Sequence, residues 1–269
     1  METTFNFNRF MLLVRRQWIG VGKIYLMAWG VLAGLLLFFY IFFAGSAGYA
    51  TNVESIVAML EFRSSFFVFL GLFYMTIISS SYFSQLGEKA KASFELLLPA
   101  SRLEKFMAAL FYTAILATVS YILIFWIVDF GFVTYLKSKL ISVTTTLQVE
   151  SGPAVETQLL VNFYQIPYPK EVYYFIFLPY LLGSIFLLGS IYFRNFQYIK
   201  TAISLLTYVI LFAFCMYKAS RWFLEGTISQ GNGFWESRST VFMVVCIGGI
   251  VLTLLLWTVA YLRLKEKEV

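Results

Sequence analysis

Six runs of about twenty apolar residues, at 24–43, 64–83, 107–130, 173–193, 198–217 and 239–262, leave this chain few ways to fold. An apolar helix of that length crosses the hydrocarbon core of a bilayer and satisfies its own backbone groups on the way. The stretches between the runs are too short for a globular domain, with 131–172, the longest, as the one exception to consider. Of the 269 residues, 60% are hydrophobic and only 13% charged, far from a soluble composition. The expected fold is an all-α membrane protein with six transmembrane helices. Small residues at Ala47, Gly48 and Ala50 resemble a cleavage site. The first run nevertheless starts too late and extends too far for a secretory signal, so it is expected to remain as a span.

Basic residues set the orientation, because cytoplasmic loops carry the excess of Lys and Arg. One side holds Arg9, Arg15, Arg16, Lys23, Lys89, Lys91, Arg102, Lys105, Arg194, Lys200, Arg263, Lys265 and Lys267, thirteen in all. The other holds Arg63, Lys137, Lys139, Lys170, Lys218, Arg221 and Arg238, which is seven. Both termini are therefore expected in the cytoplasm, with the chain multi-pass in the inner (plasma) membrane. The net charge of +6 then follows from topology and anionic headgroups, and no nucleic acid is needed to explain it.

Residues 5–22 read FNFNRFMLLVRRQWIGVG. Phe7, Phe10, Met11, Val14 and Trp18 recur at helical spacing, which predicts an amphipathic helix lying in the cytoplasmic interface. The chain thus divides into an interfacial helix at 1–23 and a six-helix domain at 24–269. Gly30 and Gly34 form a GxxxG in the first span, a spacing that lets another helix approach closely, so both are candidate subunit-interface residues. Thr51-Asn52-Val53-Glu54 has capping-box form and predicts a short external helix leading into the second span. In 131–172, the Val- and Thr-rich stretches 140–149 and 154–163 flank Ser151-Gly152-Pro153 and predict a small external β-hairpin. Tyr164, Tyr168, Tyr173 and Tyr174 mark the outer interface before the fourth span.

The chemistry is notable for what is missing. There is no histidine, no GxxxxGK[ST] phosphate loop and no GxSxG elbow. Cys215 and Cys246 fall in spans five and six and read as packing residues. The residues offer no catalytic, metal or cofactor site. Thr76, Ser79, Ser80, Ser81 and Ser184 are expected to hydrogen-bond between helices. Asp129, at the outer end of the third span, is expected to reach headgroup water, with a functional intramembrane acid as the alternative. If such a chain moves a substrate, a partner must supply the energy.

Against this background, EKAKASFELLLPASRLEKF at 88–106 stands out, with seven charged residues in nineteen positions between two apolar runs. Pro99 disfavours helix at Leu98, and Ser101-Arg102-Leu103-Glu104 then has capping-box form. The pattern predicts a short cytoplasmic helix carrying Lys89, Lys91, Phe94, Glu95 and Leu97. A proline hinge follows, and a new helix begins at Arg102 and runs into span three. A short apolar and charged helix of this kind suits docking into a groove on a soluble partner.

This segment resembles the LLLPxSRxEK region of the permease subunits of ABC-2 type ABC transporters, matched here by Leu96, Leu97, Leu98, Pro99, Ala100, Ser101, Arg102, Leu103, Glu104 and Lys105. The resemblance implies that the stretch before Pro99 is a coupling helix seated on a separate ATPase. It also implies that ATP and Mg are bound by that ATPase, and that two permeases, identical or homologous, line the export path. The ATPase-coupling residues would be Lys89, Lys91, Phe94, Glu95, Leu97, Pro99, Ser101, Arg102 and Glu104. The chain departs from larger members in its 131–172 insertion. A re-entrant segment after span five can be sought only at 222–235, within the 218–238 connection. The competing readings are a non-transporting anchor or sensor subunit and a secondary transporter. An intramembrane enzyme lacks the groups it would need.

The basic asymmetry makes a prediction. In a Cys215→Ser, Cys246→Ser background, Leu103→Cys should be shielded from an impermeant thiol reagent added outside intact cells, and Gly152→Cys should be labelled. The reverse pattern would invert the topology.

Overall fold

The computed structural model describes residues 5–47, 53–83, 101–147, 163, 170–193, 195–224 and 238–267. Among them every regular element is helical: α1 (Phe7–Ala47), α2 (Val53–Tyr82), α3 (Arg102–Leu110), a π-helical segment (Phe111–Leu116), α4 (Ala117–Leu147), α5 (Lys170–Tyr173), α6 (Phe177–Tyr192), α7 (Gln197–Leu224) and α8 (Arg238–Lys267). Six helical stretches are long and apolar enough to span a bilayer, and they coincide with the six runs read from the sequence. This is a multi-pass membrane protein.

Two expectations change. The amphipathic stretch at the N-terminus is helical, but it is not a separate helix, because α1 continues without a break for 41 residues. At 1.5 Å per residue that is roughly 60 Å, about twice the hydrocarbon core, so several turns must lie beyond it. The first strand of the hairpin, at 140–149, is replaced by helix through Leu147. Val and Thr carry only a weak strand preference. Extending an established helix costs far less than nucleating a new element, so α4 runs on through them. Apart from Phe163, the second strand (154–163) lies outside the described residues, as do Tyr164 and Tyr168.

The chain divides into two compact units. The first comprises Met1–Arg16, Met75–Ala114 and Pro169–Val269. In it, α6 packs on α7 and α8, and glycines allow the closest approaches. A Cβ at Gly189 would collide with the Thr201 side chain, and one at Gly249 with the Phe177 ring. The Phe186 ring packs at a tilt against Tyr198, with centroids 5.0 Å apart, and the Tyr198 hydroxyl lies 3.4 Å from that of Thr76. Of the polar residues expected to bridge helices, Thr76 does so, Ser184 bonds back to Leu181 of its own helix, and the Ser79 hydroxyl is buried without a hydrogen-bond partner among the described residues. The tight link from α6 to α7 puts Phe196 at φ 53, a left-handed conformation that is strained for an aromatic residue.

The second unit comprises Gln17–Tyr74 and Ile115–Tyr168. Phe67, Phe125 and Phe163 surround one another with ring centroids 4.7–4.9 Å apart, within the range of favourable aromatic pairs. Gly71 makes room for the Tyr121 ring, whose hydroxyl donates to the Phe67 carbonyl at 2.6 Å. A polar relay crosses the same unit. The Trp29 indole N–H donates to Tyr74 at 3.1 Å, Tyr74 meets Ser120 at 3.0 Å, and Ser120 donates to the Ala117 carbonyl.

From α3 through α4, the buried side chains Ala108, Tyr112, Ala117, Tyr121, Phe125, Asp129 and Val133 follow in steps of four, with a single step of five across the π segment. A π turn holds more residues than an α turn, so the extra residue is absorbed where it occurs.

These packings predict unequal tolerance among the glycines. Gly249→Ala should lower thermal stability in detergent, because overpacking of this kind costs about 1–3 kcal/mol. Gly34→Ala, where a Cβ would meet nothing within 4 Å, should leave the melting temperature unchanged or raise it slightly. Equal effects at the two positions would contradict the packing described.

Candidate functional site

The helix expected after Pro99 begins where the sequence places it. Ser101 is extended at φ −68° and ψ 154°, and α3 starts at Arg102. The Ser101 hydroxyl accepts the Glu104 backbone N–H at 3.2 Å, and the Ser101 N–H donates to Glu104 Oε2 at 2.9 Å. Both halves of the capping box are formed. Lys89, Lys91, Phe94, Glu95, Leu97 and Pro99 lie outside the described residues. Of the remaining coupling candidates, Ser101 and Arg102 are half-buried.

Glu104 has a further role that three-residue spacing could not reveal. Its side chain is fully buried, and Oε1 accepts the backbone N–H of Asn6 at 2.8 Å and lies 3.4 Å from the Arg9 guanidinium. Asn6 caps α1, since its Oδ1 accepts the Asn8 N–H at 3.0 Å. One carboxylate therefore serves the starts of two helices, where backbone donors lack intrahelical partners and negative charge is favoured. Packing continues along the same face. Leu13 is buried against Ala108 with Phe10 and Val14 beside them, and the Tyr112 hydroxyl donates to the Val14 carbonyl at 2.7 Å. Of the predicted apolar stripe, Phe10 and Val14 take part in this contact, whereas Phe7, Met11 and Trp18 are exposed.

A second polar cluster lies in the other unit. Asp129 does not reach headgroup water as expected, because its side chain is buried and ion-paired. Its Oδ1 accepts from Arg63 at 2.9 Å and from the Tyr40 hydroxyl at 3.0 Å, while Oδ2 accepts the Phe163 N–H at 3.2 Å. Arg63 and Tyr40 are buried with it. An unpaired charge here would be costly, and the guanidinium removes that cost by supplying the opposite charge and a donor together. Moving Arg63 from the outer side to this pair leaves six basic residues in the outer count and makes the asymmetry larger. The pair could have been inferred, since Arg63 and Asp129 are opposite charges at the same ends of neighbouring spans.

Gly30 and Gly34 are exposed, and neither has a neighbour that a Cβ would meet within 4 Å. Among the described residues, the close approach they permit is not used. Comparison with known protein families, curated proteins and solved structures finds no match to the chain.

The buried pair makes a second kind of prediction. Arg63→Met or Asp129→Asn alone should destabilise the protein by about 3–5 kcal/mol, because each leaves its partner uncompensated. The double variant should lose less than the sum by about 1–3 kcal/mol. Equilibrium unfolding in mixed micelles measures this. Simple additivity would mean the two charges do not interact.

Proposed function

We propose that this chain is the permease subunit of an ATP-driven exporter of the ABC-2 type. It would work with a second permease and a separate ATPase in the inner (plasma) membrane, with both termini cytoplasmic. The observation that supports this reading most directly is the complete capping box at Ser101–Glu104, directly after the Leu-Leu-Leu-Pro segment. A rigid start at Ser101 gives a force applied at 88–98 a lever to act on. Without the cap, the same push would be lost in fraying of the first turn. The six candidate spans supply the layout such a subunit needs.

In this mechanism the ATPase holds ATP and Mg and performs the chemistry. Its closure displaces the 88–98 segment, and span three carries the movement into the membrane as a rigid-body change. The two permeases would meet at least partly through the open faces at Gly30 and Gly34. One observation favours a secondary transporter instead, namely the buried Asp129. Its carboxylate already receives Arg63, Tyr40 and the Phe163 N–H, an arrangement suited to holding helices together rather than to loading and releasing an ion.

The test uses the chain with the ATPase that accompanies it. Phe94→Ala should weaken co-purification about ten- to a hundredfold, since burying a Phe contributes roughly 1.5–3 kcal/mol. Ser101→Ala should leave co-purification intact and reduce substrate-stimulated ATP hydrolysis. Full co-purification after replacing 88–98 with a Gly-Ser linker would sink the proposal.

A further inference from the structure

We infer that Glu104 is a positioning residue that makes the first turn of α1 and the first turn of α3 form and release together. The geometry carries this directly. Glu104 Oε2 is held by the Ser101 N–H, and Oε1 by the Asn6 N–H with Arg9 alongside. A carboxylate offers several acceptor positions, so it can serve both helix starts without competition. The serving is conditional, however. The box with Ser101 holds Glu104 in the rotamer in which Oε1 accepts the Asn6 N–H. If Ser101 leaves its extended conformation, α1 loses the acceptor for its capping amide, and a part-buried donor is left unpaired.

Linkage requires the reverse to hold as well: loss of the Asn6 bond must weaken the start of α3 by the same factor. The contacts further along, Leu13 with Ala108 and Tyr112 with Val14, hold the two helices side by side throughout. What is coupled is therefore the order of the two first turns. Pro99 stands two residues ahead of Ser101, so a displacement of the preceding segment meets this cap first. That such a displacement is delivered by an ATPase rests on the permease reading; the linkage between the two turns does not. If both hold, α1 is a second receiver of the same movement.

Hydrogen exchange of the full-length chain in detergent micelles tests the linkage, followed in peptides covering 5–12 and 101–108. Ser101→Ala should speed exchange in 101–108 about fivefold and in 5–12 at least about twofold, although the hydroxyl removed belongs to α3. Asn6→Pro, which deletes the amide that Glu104 accepts, should speed exchange in both peptides. Asn6→Ala removes the side-chain cap but keeps that amide, and should loosen 101–108 clearly less than Asn6→Pro does. The inference is overturned if Ser101→Ala leaves 5–12 unchanged, if Asn6→Pro leaves 101–108 unchanged, or if Asn6→Ala loosens 101–108 as much as Asn6→Pro does. No ATPase is present in this experiment, so its failure is separate from any failure of the coupling at Phe94.

Discussion

Polar groups removed from water must find partners within the protein, and in a chain this apolar that constraint decides where each helix can sit. Among the described residues, many of the small polar side chains meet it locally. Thr113 bonds back to Ala109, Ser190 to Leu187, Thr201 to Gln197 and Thr253 to Gly249, each within its own helix. Such bonds leave helix position free. Carboxylates and guanidinium groups cannot be satisfied so cheaply. Asp129 needs Arg63, Tyr40 and a backbone amide from the 131–172 connection; Glu104 needs two helix starts and Arg9. Those demands reach across the sequence and pin distant segments together.

The two carboxylates differ in how firmly they pin. Asp129 is matched by a full opposite charge that is as buried as itself, so separating the pair would strand both ions. Glu104 is held mainly by backbone amides, and its charged neighbour Arg9 is about a third exposed. A hydrated cation close by softens the penalty of movement. The Asp129 cluster thus behaves as a fixed clasp, and the Glu104 cluster as a joint.

What was legible in the sequence follows from how local each determinant is. A span is written in twenty consecutive residues, and a capping box in four, so the six helices and the Ser101–Glu104 pair could both be read directly. The bond from Asn6 to Glu104 joins residues 98 apart, and no periodicity records it. Asp129 was read from its position near a span end, which favours water, but the decisive fact was the Arg63 side chain facing it. At 140–147, Val and Thr gave a strand signal that the preceding helix overrode. The glycine spacing at Gly30 and Gly34 was visible, whereas the glycines used for packing within the units, Gly71, Gly189 and Gly249, carry no pattern that separates them from the rest.

The π-helical segment has a consequence for how this chain can change length. An α-helix turns about 100° per residue, so losing one residue from an ordinary stretch swings everything beyond it onto another face. Between Tyr112 and Ala117 the chain already carries one residue more than the buried column requires. A deletion there would relax the segment to ordinary α-helix and restore a uniform step of four between the buried side chains. A deletion a few residues further on would carry Asp129 away from Arg63. The third span therefore contains one spare residue, and its place is fixed.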